Sequence, residues 1–251
     1  MASILVKFVA SWALFCGVVL GEREWCDLKC TKNYGYYRYS VQENTMCKYE
    51  EKTTTVRGTP VVNVMTPKMK EDLLKMHNEF RNKIASGGLE GWPTAADMLE
   101  LSWDDDLAKS AQRWASQCQN DHDECRKTPN FESVGQNLAL EWTTGRFEKI
   151  DVSIAGWTGE AKLAPRFLVD YYQSIDNTGH FTQVSWAKTQ KIGCGVVVYE
   201  KNDWNTKLLA CNYGPAGNVI TQRMYTRGAP CSACPEGTRC NPESNTPYLC
   251  A

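Results

Sequence analysis

Imidazole is scarce in this chain. Its 251 residues hold three histidines, His77, His122 and His180, so any chemistry that needs a base near neutral pH or a nitrogen metal ligand is confined to them. A dominant charge sign is also missing. The formal net charge is −1, which leaves no electrostatic case for nucleic acid or an anionic membrane as partner. No Asn-x-Ser/Thr acceptor occurs, so N-glycosylation is not expected. Past the first twenty or so residues no apolar run is long enough to cross a bilayer. No Ser–His–Asp or Cys–His set stands in a context that marks a nucleophile, and no internal repeat is visible.

What is present begins with a leader. MASILVKFVASWALFCGVVLG has Lys7 near its start, an apolar run from Phe8 to Leu20 that is too short to span a membrane, and small Gly21 as a cleavage position. It reads as a secretory signal peptide over residues 1–21, with a secreted, extracellular mature chain starting near Glu22. Twelve cysteines occur; Cys16 lies in the leader, and the rest read as a disulfide framework suited to export. They are odd in number, so at least one thiol is free or paired with another molecule. Structural zinc is the rival reading for CSACPEGTRC, but export favours oxidation. Three zones follow: a disulfide-stapled extension over 22–65, a core with periodic patterning over 66–222, and a Cys-rich tail over 223–251. The length suits one domain of ordinary size, expected as a monomer.

Within the core, Thr66 and Pro67 mark a helix start, with Met69, Leu73, Met76, Phe80 and Ile84 at helical spacing and Gly87–Gly88 as the stop. A second helix begins at residues 104–106, with Leu107, Ala111, Trp114 and Cys118 as its buried stripe. A third spans 147–162, with Ile150, Ile154, Trp157 and Ala161 on one face. FTQVSWA, KIGCGVVVYE and KLLACNYG then read as strands from their β-branched and aromatic content, the last two joined by a turn at Asn202–Asp203. Such a hairpin can bring Cys194 and Cys211 within bonding distance, and they are paired here. Helices first and strands later predict an α+β fold with helices packed on an antiparallel sheet. Trp103, Trp114, Trp157 and Trp186 are expected in the core. His77, beside the core-facing Met76 and Phe80, is expected to be a packing residue. Ser185 is not read as a nucleophile, because no base is placed beside it.

Four strings, in order, carry a resemblance: HNEFR at 77–81, GQNL at 135–138, GHFTQVSWAKT at 179–189 and LLACNYGPAGNV at 208–219. Together they resemble the signature set of the CAP superfamily (cysteine-rich secretory proteins, antigen 5, pathogenesis-related 1). Cys26 and Cys30 together with WASQCQNDHDEC are most similar to the insect antigen 5 branch of venom allergens and salivary proteins. The fold implied is a three-layer α-β-α sandwich. The resemblance implies a central cavity with two histidines, here His122 and His180, and one acid, here Glu160, as a site for a divalent cation such as zinc. The second family acid is replaced by Gln136, which cannot act as a general base and is a poorer cation ligand.

The same resemblance implies the pairs Cys26–Cys47 and Cys30–Cys125, leaving Cys118 without its usual partner as a shielded free thiol on the second helix. Of the three ways to pair the last four cysteines, Cys231–Cys240 with Cys234–Cys250 is adopted. Arg57-Gly58-Thr59 is similar to the integrin-binding Arg-Gly-Asp tripeptide, but Thr lacks the carboxylate that a bound cation needs. The expected function is that of a secreted, non-enzymatic antigen 5-like protein of saliva or venom. It would bind a small hydrophobic host mediator (an eicosanoid, fatty acid or sterol) and so modulate haemostasis or inflammation, with no cofactor required. Two alternatives stand beside it. One is an interaction protein acting on integrins, channels or another host receptor through its amino-terminal loops. The other is a metal-dependent hydrolase using His122, His180 and Glu160.

Overall fold

The structure, a computed structural model, describes residues 24–33, 39–50, 55–56, 59–147 and 150–251. The leader, Arg57 and Gly58 lie outside the described residues. The strands are β1 (Cys30–Asn33), β2 (Tyr39–Gln42), β3 (Thr55–Val56), β4 (Thr59–Asn63), β5 (Ser102–Trp103), β6 (Gly135–Thr143), β7 (Lys191–Lys201) and β8 (Trp204–Gly214). The helices are α1 (Thr45–Lys48), α2 (Pro67–Ala85), α3 (Asp105–Ala115), α4 (Asp151–Gly159) and α5 (Gly179–Val184), with 3-10 turns at Glu160–Lys162 and Arg166–Val169.

The main sheet runs β3-β4-β7-β8-β6, and β5 adds to β7 in parallel. Its centre is the β7–β8 hairpin, closed by Asn202 and Asp203 at φ of 51° and 64°. That left-handed pair is the geometry a two-residue hairpin turn requires, and Asn and Asp tolerate it. The hairpin sets Cys194 directly opposite Cys211, and the two are bonded with their Cα atoms 4.1 Å apart.

Helices cover both faces, as period-two alternation along β7 demands. Val197 faces Ala111 and Trp114 of α3 in one buried cluster. Val196 faces Leu73 of α2 and Ile154 and Trp157 of α4 in another. The α3 backbone lies hard against the sheet because β7 offers glycine there. A Cβ on Gly193 would stand 2.1 Å from the Ala108 nitrogen, and one on Gly195 would stand 2.2 Å from Gln112 Cα. Gln112 Oε1 also accepts the Val196 N–H at 3.0 Å. The result is the three-layer α-β-α sandwich expected from the resemblance.

The caps explain the helix starts. Thr66 Oγ1 accepts the Met69 N–H, with Pro67 in the first turn, and Asp104 caps the Leu107 N–H of α3. Arg81 of α2 is fully buried and donates to the carbonyls of Leu99, Val184, Trp186, Ala187 and Thr189. It thereby ties the helix to the segment that follows α5.

Five sequence expectations are corrected. The segment FTQVSWA is not a strand: its first residues lie in α5, because Glu160 accepts the His180 and Phe181 N–H groups at 2.9 and 3.0 Å and so satisfies the first helical turn. Cys118 is not on the α3 stripe, since α3 ends at Ala115 and Cys118 sits in the turn beyond at φ 55°. The third helix starts at Asp151, past Phe147. Residues 59–63, assigned to the loop-rich extension, form β4 and pair with β7, Val61 opposite Tyr199; Thr59 is therefore a strand residue. Trp114, Trp157 and Trp186 are buried, but Trp103 is only half-buried, with Lys70 Nζ 5.0 Å from its ring centroid.

Among the described residues there are five disulfides: Cys26–Cys47, Cys30–Cys125, Cys194–Cys211, Cys231–Cys240 and Cys234–Cys250. Cys118 is free, and burial pushes its thiol up to about 11, partly offset by Lys201. The tail is anchored by buried Met224, Tyr225, Leu249 and Cys250.

Candidate functional site

The candidate site is built around the start of β6, where Gln136 and Asn137 point to opposite faces of the sheet. On the α3 face, exposed His122 donates from Nδ1 to Gln136 Oε1 at 2.8 Å. The Gln136 amide is fixed by what its nitrogen meets: Nε2 donates to Asp123 Oδ1 and to Asn212 Oδ1, both at 3.0 Å. Asp123 is buried and also bound by Thr45 Oγ1 and by Arg126 Nε, the latter at 2.5 Å. A carboxylate therefore does lie behind His122, one residue further back than position 136. Asp123 stands next to His122 in NDHDEC, but nothing in the sequence sets it apart from the neighbouring acids Asp121 and Glu124.

On the opposite face, His180 donates from Nδ1 to Glu160 Oε1 at 2.6 Å. Its ring stacks on Trp157, centroids 5.8 Å apart and planes 19° from parallel. Glu160 Oε2 receives the backbone N–H groups of His180 and Phe181. Burial opposes ionisation of Glu160, but the hydrogen bonds from His180 and from the Phe181 and His180 backbone outweigh it and hold the carboxyl below the usual range. Both Glu160 oxygens are thus already engaged, which places this acid behind His180 as an orienting partner. Each imidazole is oriented by the hydrogen bond at its Nδ1, so Nε2 is the ring atom left for any ligand. Among the described residues, the one group of three or more His, Cys, Asp or Glu with ligand atoms all within 4.8 Å of one another is Cys234, Cys240 and Cys250, which are disulfide sulfurs. His122, His180 and Glu160 do not form such a group.

A buried polar chain backs the His180 side. Asn137 Nδ2 donates to the His180 carbonyl and to the Tyr213 hydroxyl, both at 3.2 Å. Tyr213 O–H donates to His77 Nε2 at 2.9 Å, and His77 Nδ1–H donates to the Leu73 carbonyl at 2.7 Å. His77 is fully buried, and burial lowers its pKa to about 4, with Arg81 lowering it further and the Leu73 bond opposing. It is a neutral packing residue, as its place in HNEFR implied. Ser185 Oγ is buried without a hydrogen-bond partner, so no base activates it.

A separate groove of about 530 Å³ opens between α2 and the start of α4, floored by Met69, Met76 and Ile150 and rimmed by Lys68, Asp72, Lys75, Glu79 and Asp151. No described helix is long and apolar enough to cross a membrane.

Comparison with known proteins places these features. The cysteine-rich secretory protein family, CAP, matches residues 74–213. Venom allergen 5 of Vespula vidua is 39% identical over 211 residues, covering 81% of this chain and 98% of that one. Venom allergen 5 of Tityus serrulatus is 36% identical over 260 residues, and this chain spans 58% of that longer protein. A crystal structure of NaASP2 with Zn2+ superposes with TM-score 0.61 at 29% identity, covering 74% of this chain and 97% of the other. BmVAL-1 superposes with TM-score 0.59 at 27% identity, covering 78% and 98%. The matched core spans His122 and His180 and the α-β-α layers, and the Tityus serrulatus relative covers 98% of this chain: the chain belongs to the CAP family and is similar to its venom allergen 5 members.

Proposed function

We propose that this chain is a secreted, non-enzymatic binding protein that sequesters a small hydrophobic mediator: an eicosanoid, a fatty acid or a sterol. The observation that carries the reading is the groove between α2 and α4. Two methionines in its floor adapt to flexible apolar chains, and the rim carries Lys68 and Lys75, exposed and paired with Asp72 and Glu79, as cations that a ligand carboxylate would have to win from those acids. Its volume lies in the range of small-molecule sites. Likeness to venom allergens supports export and action on a host, and modulation of haemostasis or inflammation follows from removing such a mediator. The test is displacement of a fluorescent fatty acid from the purified protein. Met76→Trp, which fills the groove, is expected to weaken binding about tenfold, while His180→Ala leaves it unchanged. No displacement by any of the three lipid classes sinks the reading.

A second reading is a divalent cation held at these histidines. His122 and His180 each use Nδ1 for a hydrogen bond, so Nε2 is the ligand atom each would offer, with Glu160 orienting His180 from behind, but the two rings lie on opposite faces of the sheet and would have to converge to share one ion. The zinc named in the NaASP2 structure lends support. Glu160 has no oxygen left to serve as base, so metal-dependent hydrolysis is the weaker alternative.

A further inference from the structure

We propose that a second cleft, independent of the lipid groove, binds a primary ammonium carried on a small aromatic body. The cleft, of about 650 Å³, lies between the stapled extension and the loop that follows α3. Its inner wall is aromatic: Tyr49 and Trp114 meet with ring centroids 5.6 Å apart and planes inclined at 56°. Its loop-side wall presents acceptors. His122 lines the same wall, its ring turned by the bond from Nδ1 to Gln136 Oε1. Asp121 spends one carboxylate oxygen on the His122 N–H, and Glu124 spends one on Lys48. Each acid lines the cleft with its second oxygen outside these two bonds.

Lys48 already shows how such a wall receives a cation. Its ammonium lies 2.8 Å from Glu124 Oε2 and 5.6 Å from the centre of the Tyr49 ring. Carboxylate on one side and π-face on the other is the pair of partners that recognises an organic ammonium. The Lys48–Glu124 pair is exposed, at 40% and 39% of side-chain surface, so exchanging Lys48 for an incoming ammonium returns Lys48 to water at small cost. Lys32 also lines the cleft and opposes a cation, while Asp123 is bound to Arg126, Thr45 and Gln136 and contributes no free acceptor. The ligand is therefore expected to seat its ammonium on the Asp121–Glu124 side and its ring over Tyr49.

Calorimetric titration of the intact, disulfide-bonded protein with phenethylamine tests this, with N-acetylphenethylamine and 3-phenylpropionate as neutral and anionic controls. The amine is expected to bind with a Kd of about 0.1 mM, and both controls at least about tenfold more weakly. Asp121→Asn with Glu124→Gln, which keep shape and lose charge, should weaken the amine about tenfold. Lys48→Ala, which removes the internal competitor, should tighten it about two- to fivefold. Circular dichroism identifies any variant that has failed to fold. Absence of amine binding by a folded protein, equal binding of the neutral control, preferred binding of the anion, or weaker binding by Lys48→Ala would each overturn the assignment.

Discussion

His77 shows how one buried side chain writes a pH dependence into a whole fold. Its neutral form is held by Leu73 and Tyr213, and burial keeps its pKa near about 4. The unfolded chain takes up that proton at the ordinary imidazole value of about 6.5. Between those limits the unfolded state holds more protons, so stability is complete above the upper limit and falls as pH drops through the window, by about 1.4 kcal/mol per pH unit. Urea denaturation at pH 6.5 and 5.5 is expected to show a loss of about 1 kcal/mol. In His77→Gln, which keeps one donor and one acceptor, that contribution should vanish; an unchanged slope would mean that other groups carry it. The residue's role was readable because it stands between core positions on a clear helical stripe. The partners of His122 were not, since Gln136 and Asp123 are brought together by tertiary contact and not by spacing.

At the level of elements, the backbone of α3 lies directly against β7. Gly195→Ala would drive a methyl carbon into the backbone of Gln112, and α3 cannot retreat without losing the Gln112 bond to Val196. A destabilisation of about 3 kcal/mol or more is expected, read as a lower thermal midpoint with the far-UV spectrum retained. A midpoint within a degree or so of the parent would show that the layers yield. Helix starts were legible wherever a cap residue announced them, as at Thr66 and Asp104. The segment after Gly179 was not, because its β-branched and aromatic content favours a strand while Glu160, about twenty residues upstream, supplies the acceptor that makes it a helix. Neither β6 nor β4 stood out in sequence. The first mixes polar and apolar residues at a sheet edge, and the second is short and lies in a segment of loop-like composition.

The whole molecule depends on the extension being stapled to the core. Cys30–Cys125 closes a separation of 95 residues, and around it Asn44 Nδ2 donates to the Leu28 and Lys127 carbonyls while Arg113 donates to those of Met46 and Tyr49. Replacing both cysteines by serine is expected to cost about 2–5 kcal/mol, mainly through the freed unfolded chain. The extension should also become open to proteolysis before β4 while the core stays resistant. Equal resistance of both parts would show that the hydrogen bonds suffice. The overall sandwich was legible because family strings fall on its layers; the docking of the extension was visible only as a cysteine pairing implied by resemblance.

The Gln136 amide couples two positions. Its nitrogen faces two acceptors, Asp123 and Asn212. A glutamate at position 136 would set a carboxylate against the buried Asp123 carboxylate, which Arg126 and Thr45 hold in place. An acid at 136 is therefore expected to be accommodated only in its protonated form or together with a change at position 123, so the two sites behave as one electrostatic unit.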